Sequence, residues 1–410
     1  MRAALQQAVQ ALLPDAQRFL AELIRLPSLP GQEQAVMLLC EREFRALGMS
    51  VERVPLSDAL KRDRDYSDPV PDLSYEGRFN LRITRPGAGR GRKLIINAHT
   101  DVVPPSEGQL EPFHPRLEAG IMFGRGACDD KGQVALLYLT LKVLNTLNIT
   151  LPGEVVGHLV VEEENGGNGS LAMARTGEQA DGCIVLEASD GRLFTSIRGA
   201  VWFRLVLLGK AGHSGQAGQT RSALLMARDA MAILEQYHAS LLAASRGFPL
   251  FDPHPNPMPI TFGKLQAGNW PAAAPSRATI EGVLGLLPNK TKEQVCAEMR
   301  DALMRGAGSA LADKFELTFM YRHDSSVVDP QQSLPQTILA SAAQAGVPLE
   351  IGAMTASCDA WFYNNQLNIP TVVYGAGTLK VAHSKDEQLA LKDLADAATV
   401  LSNVICNYCR

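Results

Sequence analysis

The sequence has no long apolar run and no large excess of charge of one sign. No segment approaches the ~18 consecutive apolar residues that a membrane-spanning helix needs. The 39 basic and 43 acidic residues give a formal net charge of -4, without a long run of either sign. These absences disfavour a membrane span and a surface for nucleic acid or anionic lipid. We therefore expect a small molecule as the partner.

Signals for secretion and for disulfide bonding are also missing. Polar residues recur every few positions in the amino-terminal stretch MRAALQQAVQALLPDAQ, which has no small-residue cleavage site. The seven cysteines are odd in number and scattered, a pattern that fits reduced thiols better than a disulfide framework. We therefore expect a cytoplasmic protein.

Short apolar runs alternate with helical patterns over much of the chain. The apolar runs are LIINA at 94–98, VVGHLVV at 155–161 and CIVL at 183–186, and a helical pattern occupies 131–147 between the first two. Continuous apolar strands separated by helices are typical of sheets that are buried on both faces. The pattern therefore predicts an α/β fold with a mixed, largely parallel sheet flanked by helices.

A different order of elements begins at about Arg198 and ends at about Arg322. The pattern predicts, in order, a strand at 201–208, a helix at 222–243, strands near Ile260 and at 278–286, a helix at 292–307 and a strand at 315–321. This β-α-β-β-α-β order is that of the ferredoxin-like unit. We therefore expect an inserted α+β domain.

The earlier alternation resumes after the insert. The chain there predicts a helix around 334–345, a strand at 370–374 and a last helix from about Lys385 to Ile405. A chain of 410 residues has room for about two to three domains of ordinary size. We therefore expect a discontinuous catalytic domain at 1–197 and 323–410, and an inserted domain at 198–322.

Polar residues follow the carboxyl ends of the predicted strands, where open α/β sheets bind their ligands. LIINA leads into His99 and Asp101, VVGHLVV into Glu162, Glu163 and Glu164, CIVL into Glu187, and the strand at 370–374 into a glycine-rich loop that ends at His383. The segment GRGACDDKGQ places Asp129 and Asp130 where a loop enters a helix. Imidazole and carboxylate are common ligands of zinc, and the pattern predicts a catalytic metal site.

A charge count favours two divalent metal ions over one. Four carboxylates in one cleft would repel each other, and two dications would neutralise them; they are Asp129, Glu163, Glu164 and Glu187. Metal ions that lie close together need a bridging carboxylate, and the central position of Asp129 makes it the candidate. We expect zinc, although cobalt and manganese compete for the same oxygen and nitrogen ligands.

Each of these residues also has an ordinary structural interpretation. A strand-end histidine such as His99 is more often a hydrogen-bonded scaffold residue, and a run of glutamates is usually a solvated surface. His99 and Asp101 lie two positions apart on a strand and therefore face the same way. Asp101 can then accept a hydrogen bond from the ring and fix its tautomer, which favours the metal site.

Four motifs occur in the order NAHTDVVPP, GRGACDDKG, EEENGGNGS and GAG followed by AHSKDE. With these motifs the chain resembles the dinuclear zinc hydrolase family of acetylornithine deacetylase, succinyl-diaminopimelate desuccinylase, aminoacylase and carboxypeptidase G. The segment AGNWPAAAPSRA resembles most the members that are called acetylornithine deacetylase-like. The resemblance spans nearly the whole chain and implies a zinc exopeptidase-like fold, whose insert is a lid or dimerisation domain.

The resemblance also implies a role for each matching residue. One metal ion would be bound by His99 and Glu187, the other by Glu164 and His383, and both by Asp129. Asp101 would orient His99, and Glu163 would be the general base. His213, in GKAGHSG on the insert, would stabilise the oxyanion across the interface of a homodimer.

The chain departs from the family pattern where relatives bind a substrate carboxylate. Ala272 stands in place of an asparagine, Gly285 lies near the position of a substrate-gripping arginine, and Trp361 replaces another common arginine. Arg198 is a possible replacement, and a structural role at the hinge is an equal alternative.

The expected activity is the hydrolysis of an amide bond in a small N-acylated amino acid or peptide. An alternative within the same chemistry is the hydrolysis of an N-carbamoyl or N-formyl group. A second alternative is a binding protein that kept the fold and lost catalysis.

Overall fold

The computed structural model describes residues 2–216, 218–306, 311 and 313–410. The helices are α1 Arg2–Ile24, α2 Gln34–Ala46, α3 Lys131–Thr146, α4 Asn168–Arg175, α5 Ala223–Ala244, α6 Lys292–Gly306, α7 Ser333–Ala345 and α8 Leu391–Tyr408. The strands up to the insert are β1 Ser50–Pro55, β2 Phe79–Arg85, β3 Leu94–His99, β4 Arg116–Glu118, β5 Ile121–Phe123, β6 Val155–Val160, β7 Gly182–Val185 and β8 Arg192–Ile197. The later strands are β9 Gly199–Leu208, β10 Gly212–His213, β11 Ile260–Ala267, β12 Ala273–Ala274, β13 Arg277–Leu286, β14 Phe315–His323, β15 Ser326–Val327, β16 Glu350–Met354, β17 Thr371–Val373 and β18 Gln388–Ala390.

The larger sheet is mixed, with a parallel centre. Its strand order is β1-β2-β6-β3-β7-β17-β8-β15, and β16 also pairs with β8. The central strands β6, β3, β7 and β17 run parallel, whereas β1, β2 and β15 add antiparallel edges. The mixed, largely parallel sheet expected from the apolar runs is therefore confirmed.

Both faces of this sheet are buried, which explains the continuous apolar strands. On β3, Leu94, Ile96 and Ala98 pack into the main core with helices α1, α3 and α8. Ile95, which points the other way, packs into a second core with Leu171 of α4 and Phe362. Alternate residues of one strand thus serve opposite layers of helices.

The inserted segment forms a separate antiparallel sheet with the order β11-β13-β9-β14. Its helices α5 and α6 pack together with the strands around their own core, which includes Phe203, Leu234 and Met299. The predicted β-α-β-β-α-β order is therefore confirmed. The division of the chain into domains at 197/198 and 322/323 stays a prediction, and β14 extends to His323.

Element boundaries were predicted less well than element order. The predicted start of the last helix at about Lys385 was wrong, because Gln388–Ala390 forms β18 and the helix begins at Leu391. Ala307, the predicted end of the helix in the insert, lies outside the described residues. Gly48, which lies just after the end of α2, has a φ of 79°, a conformation that glycine adopts without strain. In the part of the chain that the structure describes, no helix has the length and apolarity to cross a membrane.

Candidate metal centre

The register of the parallel strands brings the predicted ligands to one edge of the sheet. His99, the last residue of β3, is paired with Val160, the last residue of β6. On the other side of β3, the N–H of Leu186 donates to the carbonyl of Asn97 at 2.8 Å. The glutamates that follow β6 and the glutamate that follows β7 therefore emerge beside His99.

Asp129 lies between two histidines. Its Oδ1 is 3.1 Å from Nε2 of His99, and its Oδ2 is 3.1 Å from Nε2 of His383. The same nitrogen of His383 is 3.0 Å from Oε1 of Glu164, and Nε2 of His99 is 4.0 Å from Oε1 of Glu187. The two oxygens of one carboxylate thus face two different sets of ligands, as a bridging residue requires.

Two groups of potential metal ligands share Asp129. The ligand atoms within each group lie within 4.8 Å of one another; the groups are His99, Asp129, Asp130 and Glu187, and Asp129, Glu164 and His383. All the residues expected to bind metal are therefore brought together. Whether each is a ligand remains a proposal.

Asp130 is a member of this cluster that the sequence interpretation did not select as a ligand. Its Oδ2 accepts a hydrogen bond from the backbone N–H of His99 at 2.9 Å. Its Oδ1 is buried and has no hydrogen-bond partner among the described residues. The available signal was the second aspartate of the DD pair, which the sequence alone could not distinguish from the first.

Asp101 supports the site more broadly than predicted. Its carboxylate oxygens accept hydrogen bonds from the backbone N–H groups of Glu163 at 3.1 Å and Glu164 at 3.0 Å. The ring Nδ1 of His99 is 3.0 Å from the backbone carbonyl oxygen of Asp101 and 3.4 Å from its Oδ1. Asp101 therefore positions both the histidine and the glutamate turn.

The electrostatics of the cluster fit divalent cations. Burial, together with neighbouring carboxylates, raises the pKa values of Glu163 and Glu187 well above the usual range of glutamate. Although burial opposes its ionisation, hydrogen bonds from the two histidines hold the pKa of Asp129 below its usual range. Cations at the site would relieve the repulsion and give the unpaired oxygen of Asp130 a partner. The donor set therefore fits divalent metal ions.

Glu163 lies beside the proposed ligands rather than among them. Its side chain is 14% exposed, and its Oε2 is 4.0 Å from Nε2 of His99. It belongs to neither group of potential metal ligands. The role of Glu163 as the general base stays a prediction.

The turn that carries Glu163 rests on a buried ionic network that sequence reasoning missed. Arg78 donates hydrogen bonds to Glu33 at 2.6 Å and to Glu162. Tyr75 donates to the other oxygen of Glu162 at 2.7 Å. Because these residues are far apart in sequence, no local pattern could have revealed the network.

His213 is not joined to the metal cluster by a hydrogen bond or an ion pair among the described residues. It is exposed on β10, where it is paired with Ala273 of β12. Its Nδ1 accepts a hydrogen bond from the N–H of Gly215 at 3.1 Å. In the neutral imidazole the proton is therefore on Nε2, which is available as a donor.

The cations that lie next to Trp361 and Gly285, which are Lys292 and Arg198, already have partners in the described structure. Trp361 is buried, with the ring of His323 stacked at 4.4 Å and Nζ of Lys292 at 4.3 Å from its indole centroid. Arg198 is also buried and donates to the carbonyls of Thr355 and Gly199. A Cβ on Gly285 would lie 2.9 Å from Nη1 of Arg198. This packing favours the structural alternative for Arg198.

Comparisons with known proteins agree with this geometry. The model of Peptidase family M20/M25/M40 matches residues 95–407. The chain is 27% identical over 354 residues to N-formyl-4-amino-5-aminomethyl-2-methylpyrimidine deformylase of Bacillus subtilis, covering 77% of this chain and 79% of the relative. It is 27% identical over 420 aligned positions to succinyl-diaminopimelate desuccinylase of Methylobacterium radiotolerans, covering 96% and 97%.

The fold is also that of a solved relative. The structure of the dipeptidase Dug1p from Saccharomyces cerevisiae has a TM-score of 0.81 at 14% identity, covering 100% of this chain and 98% of that chain. A likeness at this identity concerns the fold alone. From the family match over most of its length, the chain belongs to peptidase family M20/M25/M40 and is a metal-dependent amidohydrolase.

Proposed function

We propose that this chain hydrolyses the amide bond of a small N-acylated amino acid or peptide, with Glu163 as the general base. The observation that carries the proposal is the position of Asp129, whose two oxygens face His99 and His383 at 3.1 Å. The first metal ion is assigned to His99 and Glu187, the second to Glu164 and His383, and Asp129 to both. Zinc is the proposed metal, with cobalt or manganese as alternatives.

The chain's own residues supply the proton transfers. When bound, two divalent ions lower the pKa of water in the site and polarise the amide carbonyl. Glu163 accepts a proton as the water oxygen bonds to the carbonyl carbon, and it delivers that proton to the leaving nitrogen as the C–N bond breaks. The products are a carboxylic acid and an amine. Asp101 keeps Glu163 and His99 in place throughout.

His213 is proposed to complete the site from a second copy of the chain. Stabilising the oxyanion requires a donor close to the carbonyl oxygen, and the hydrogen bond from Gly215 leaves Nε2–H of His213 free to donate. The exposure of His213 supports a contact that forms only on assembly. We therefore propose a homodimer through the insert, which a measurement of molecular mass in solution would test.

A reducing, cytoplasmic location is also proposed. The seven cysteines are all free thiols, and six of them are buried. Burial raises the pKa values of thiols such as Cys40 and Cys183, which lowers their reactivity. This arrangement supports a protein that neither needs nor forms disulfide bonds.

A second candidate function is the hydrolysis of an N-formyl group from an amine that has no carboxylate. The observation that favours it is that the cations beside Trp361 and Gly285 are engaged elsewhere, because Lys292 pairs with Asp65 and Arg198 donates to backbone carbonyls. The Bacillus subtilis relative is named as the deformylase of an N-formyl aminopyrimidine. The N-carbamoyl alternative uses the same machinery on a different acyl carbon.

A panel of matched substrates separates these functions. It contains N-acetyl, N-succinyl, N-formyl and N-carbamoyl derivatives of amines with and without an α-carboxylate, together with dipeptides. If the carboxylate is bound, its removal should lower kcat/KM by more than ~10-fold, as loss of an ionic contact does. Turnover confined to the N-formyl compounds, and equal with and without the carboxylate, would favour the formyl-amine hydrolase, whereas turnover of carbamoyl compounds alone would contradict both.

A further inference from the structure

The segments that carry Asp129 and His383 leave the same antiparallel ladder. Strand β5 pairs with β18, with Phe123 opposite Gln388. The N–H of Gly124 donates to the carbonyl of Glu387 at 3.3 Å, so the pairing continues past the strand ends. Asp129 lies shortly after β5, and His383 shortly before β18. The two proposed metal-binding segments therefore lie side by side at the end of this β5–β18 pairing and separate from there.

A buried ion pair lies where they diverge. Nη1 of Arg125 donates to Oε2 of Glu387, and the side chains are 1% and 0% exposed. Oε1 of Glu387 accepts hydrogen bonds from the backbone N–H groups of Cys128 at 3.4 Å and Asp129 at 3.3 Å. Glu387, which belongs to the His383 segment, thus holds the backbone of the Asp129 segment.

The other end of the guanidinium supports His383. Nη2 of Arg125 donates to Oγ of Ser106 at 2.7 Å and to the carbonyl of Pro104 at 3.3 Å. The hydroxyl of Ser106 donates in turn to the backbone carbonyl of His383 at 2.9 Å. His383 has a φ of 55° and a side chain that is 51% exposed. A non-glycine residue in this backbone region needs support from its surroundings.

We propose that Arg125 is a positioning residue, which acts through Glu387 and Ser106 to hold Asp129 and His383 at the separation that the second metal ion requires. The inference rests on the ligands assigned under the proposed function. Among the described hydrogen bonds, the guanidinium contacts none of the proposed ligands. Glu387 and Ser106 connect it to the backbones of Asp129 and His383. Groups that orient ligands in this way strongly affect metal affinity.

The test is a zinc titration of the whole protein, with bound zinc per chain measured by elemental analysis at fixed free zinc. The double variant R125M/E387Q removes the charges of the pair together, so neither member is left as an unpaired buried charge. We expect its second zinc ion to bind ~10- to 100-fold more weakly, while the first is retained. S106A keeps the ion pair and removes the contact with His383, so the second ion should again be weakened.

The controls separate this inference from the ligand assignment. R116M removes an exposed ion pair with Glu118 on the neighbouring strand β4 and should bind zinc as the wild type does. H383A should lose one of two ions; retention of both would show that the ligand assignment itself is wrong. If H383A loses one ion but a folded R125M/E387Q binds both with wild-type affinity, the positioning role is refuted. If the double variant does not fold, unchanged second-ion affinity in S106A refutes it.

Discussion

The carboxylate of Asp101 accepts a hydrogen bond from the backbone N–H of Glu163 at 3.1 Å. Its other oxygen accepts from the N–H of Glu164 at 3.0 Å, and its backbone carbonyl oxygen lies 3.0 Å from Nδ1 of His99. One buried residue therefore connects the end of β3 with the turn that follows β6. The proposed general base and a proposed ligand of each metal ion share this support.

Replacing Asp101 should weaken metal binding and slow catalysis together. Asp101→Ala removes the acceptors of two backbone amides, and we expect ~10- to 100-fold weaker zinc binding and a lower kcat. Asp101→Asn keeps one acceptor oxygen but turns an NH₂ group toward the second N–H donor, so it should also be impaired. Zinc titration and steady-state kinetics measure both effects; wild-type values in the alanine variant would contradict the proposed support.

Glu163→Gln separates proton transfer from metal binding. The amide keeps the size of the side chain but cannot carry the proton, and we expect kcat to fall by ~10²- to 10⁴-fold, the range of general acid–base catalysis. Zinc content should stay at the wild-type value, since Glu163 belongs to neither group of potential ligands. Glu164→Gln is the matched comparison, because it should reduce zinc content as well. Unchanged turnover in Glu163→Gln would remove this residue from its role.

The sequence predicted much of this site because its signals are local. His99, Glu164 and Glu187 each follow an apolar strand run, and parallel strands end at one edge of a sheet. The dinuclear hydrolase family that the motifs resemble is confirmed by the family match over residues 95–407. The α/β class and the ferredoxin-like order of the insert were predictable from local patterns of apolar residues. The amidohydrolase activity was predictable from the motifs that carry the resemblance.

The supporting residues could not be predicted because their contacts are distant in sequence. Arg125 and Glu387 form a buried pair just outside the ends of the short strands β5 and β18, which carry no strong apolar pattern, and β18 was mistaken for the start of a helix. Arg78 likewise connects Glu33 with Glu162. In the sequence, Trp361 indicated only that an arginine common in relatives is replaced. The structure shows that its ring packs under Nζ of Lys292.

The stability contributed by Glu178 should depend on pH. Burial opposes its ionisation, but hydrogen bonds from His158, Arg82 and Lys93 hold its pKa below the usual range. A carboxylate with a lowered folded-state pKa stabilises the protein above its unfolded pKa of ~4.3 and loses that effect as the pH falls toward the folded value.

The comparison of wild type with Glu178→Gln tests this effect. The wild type should have the higher free energy of unfolding at pH 7, and the difference should shrink at pH 3. Urea denaturation at both values provides the measurement. A difference that stays constant between them would show that ionisation of Glu178 is not the cause.

The ion pair between Asp65 and Lys292 should respond unequally to its two deletions. Nζ of Lys292 is 2.8 Å from Asp65, with the side chains 11% and 4% exposed. Asp65→Asn leaves the Lys292 ammonium with the exposed carboxylate of Glu293 at 3.8 Å in place of its close partner and should lower the free energy of unfolding by about 3 kcal/mol. Lys292→Met should cost less, because Asp65 keeps Arg175 at 3.1 Å. Urea denaturation compares them, and a larger loss in Lys292→Met would contradict the asymmetry.

The two-metal centre bridged by Asp129 is tested by the amount of zinc bound per chain in the wild type and in Asp129→Ala. We expect two zinc ions in the wild type, weaker binding of both ions in the variant, and loss of hydrolysis with them. A wild-type protein that binds no divalent metal after supplementation, or an Asp129→Ala variant that keeps two ions with unchanged affinity, would contradict it.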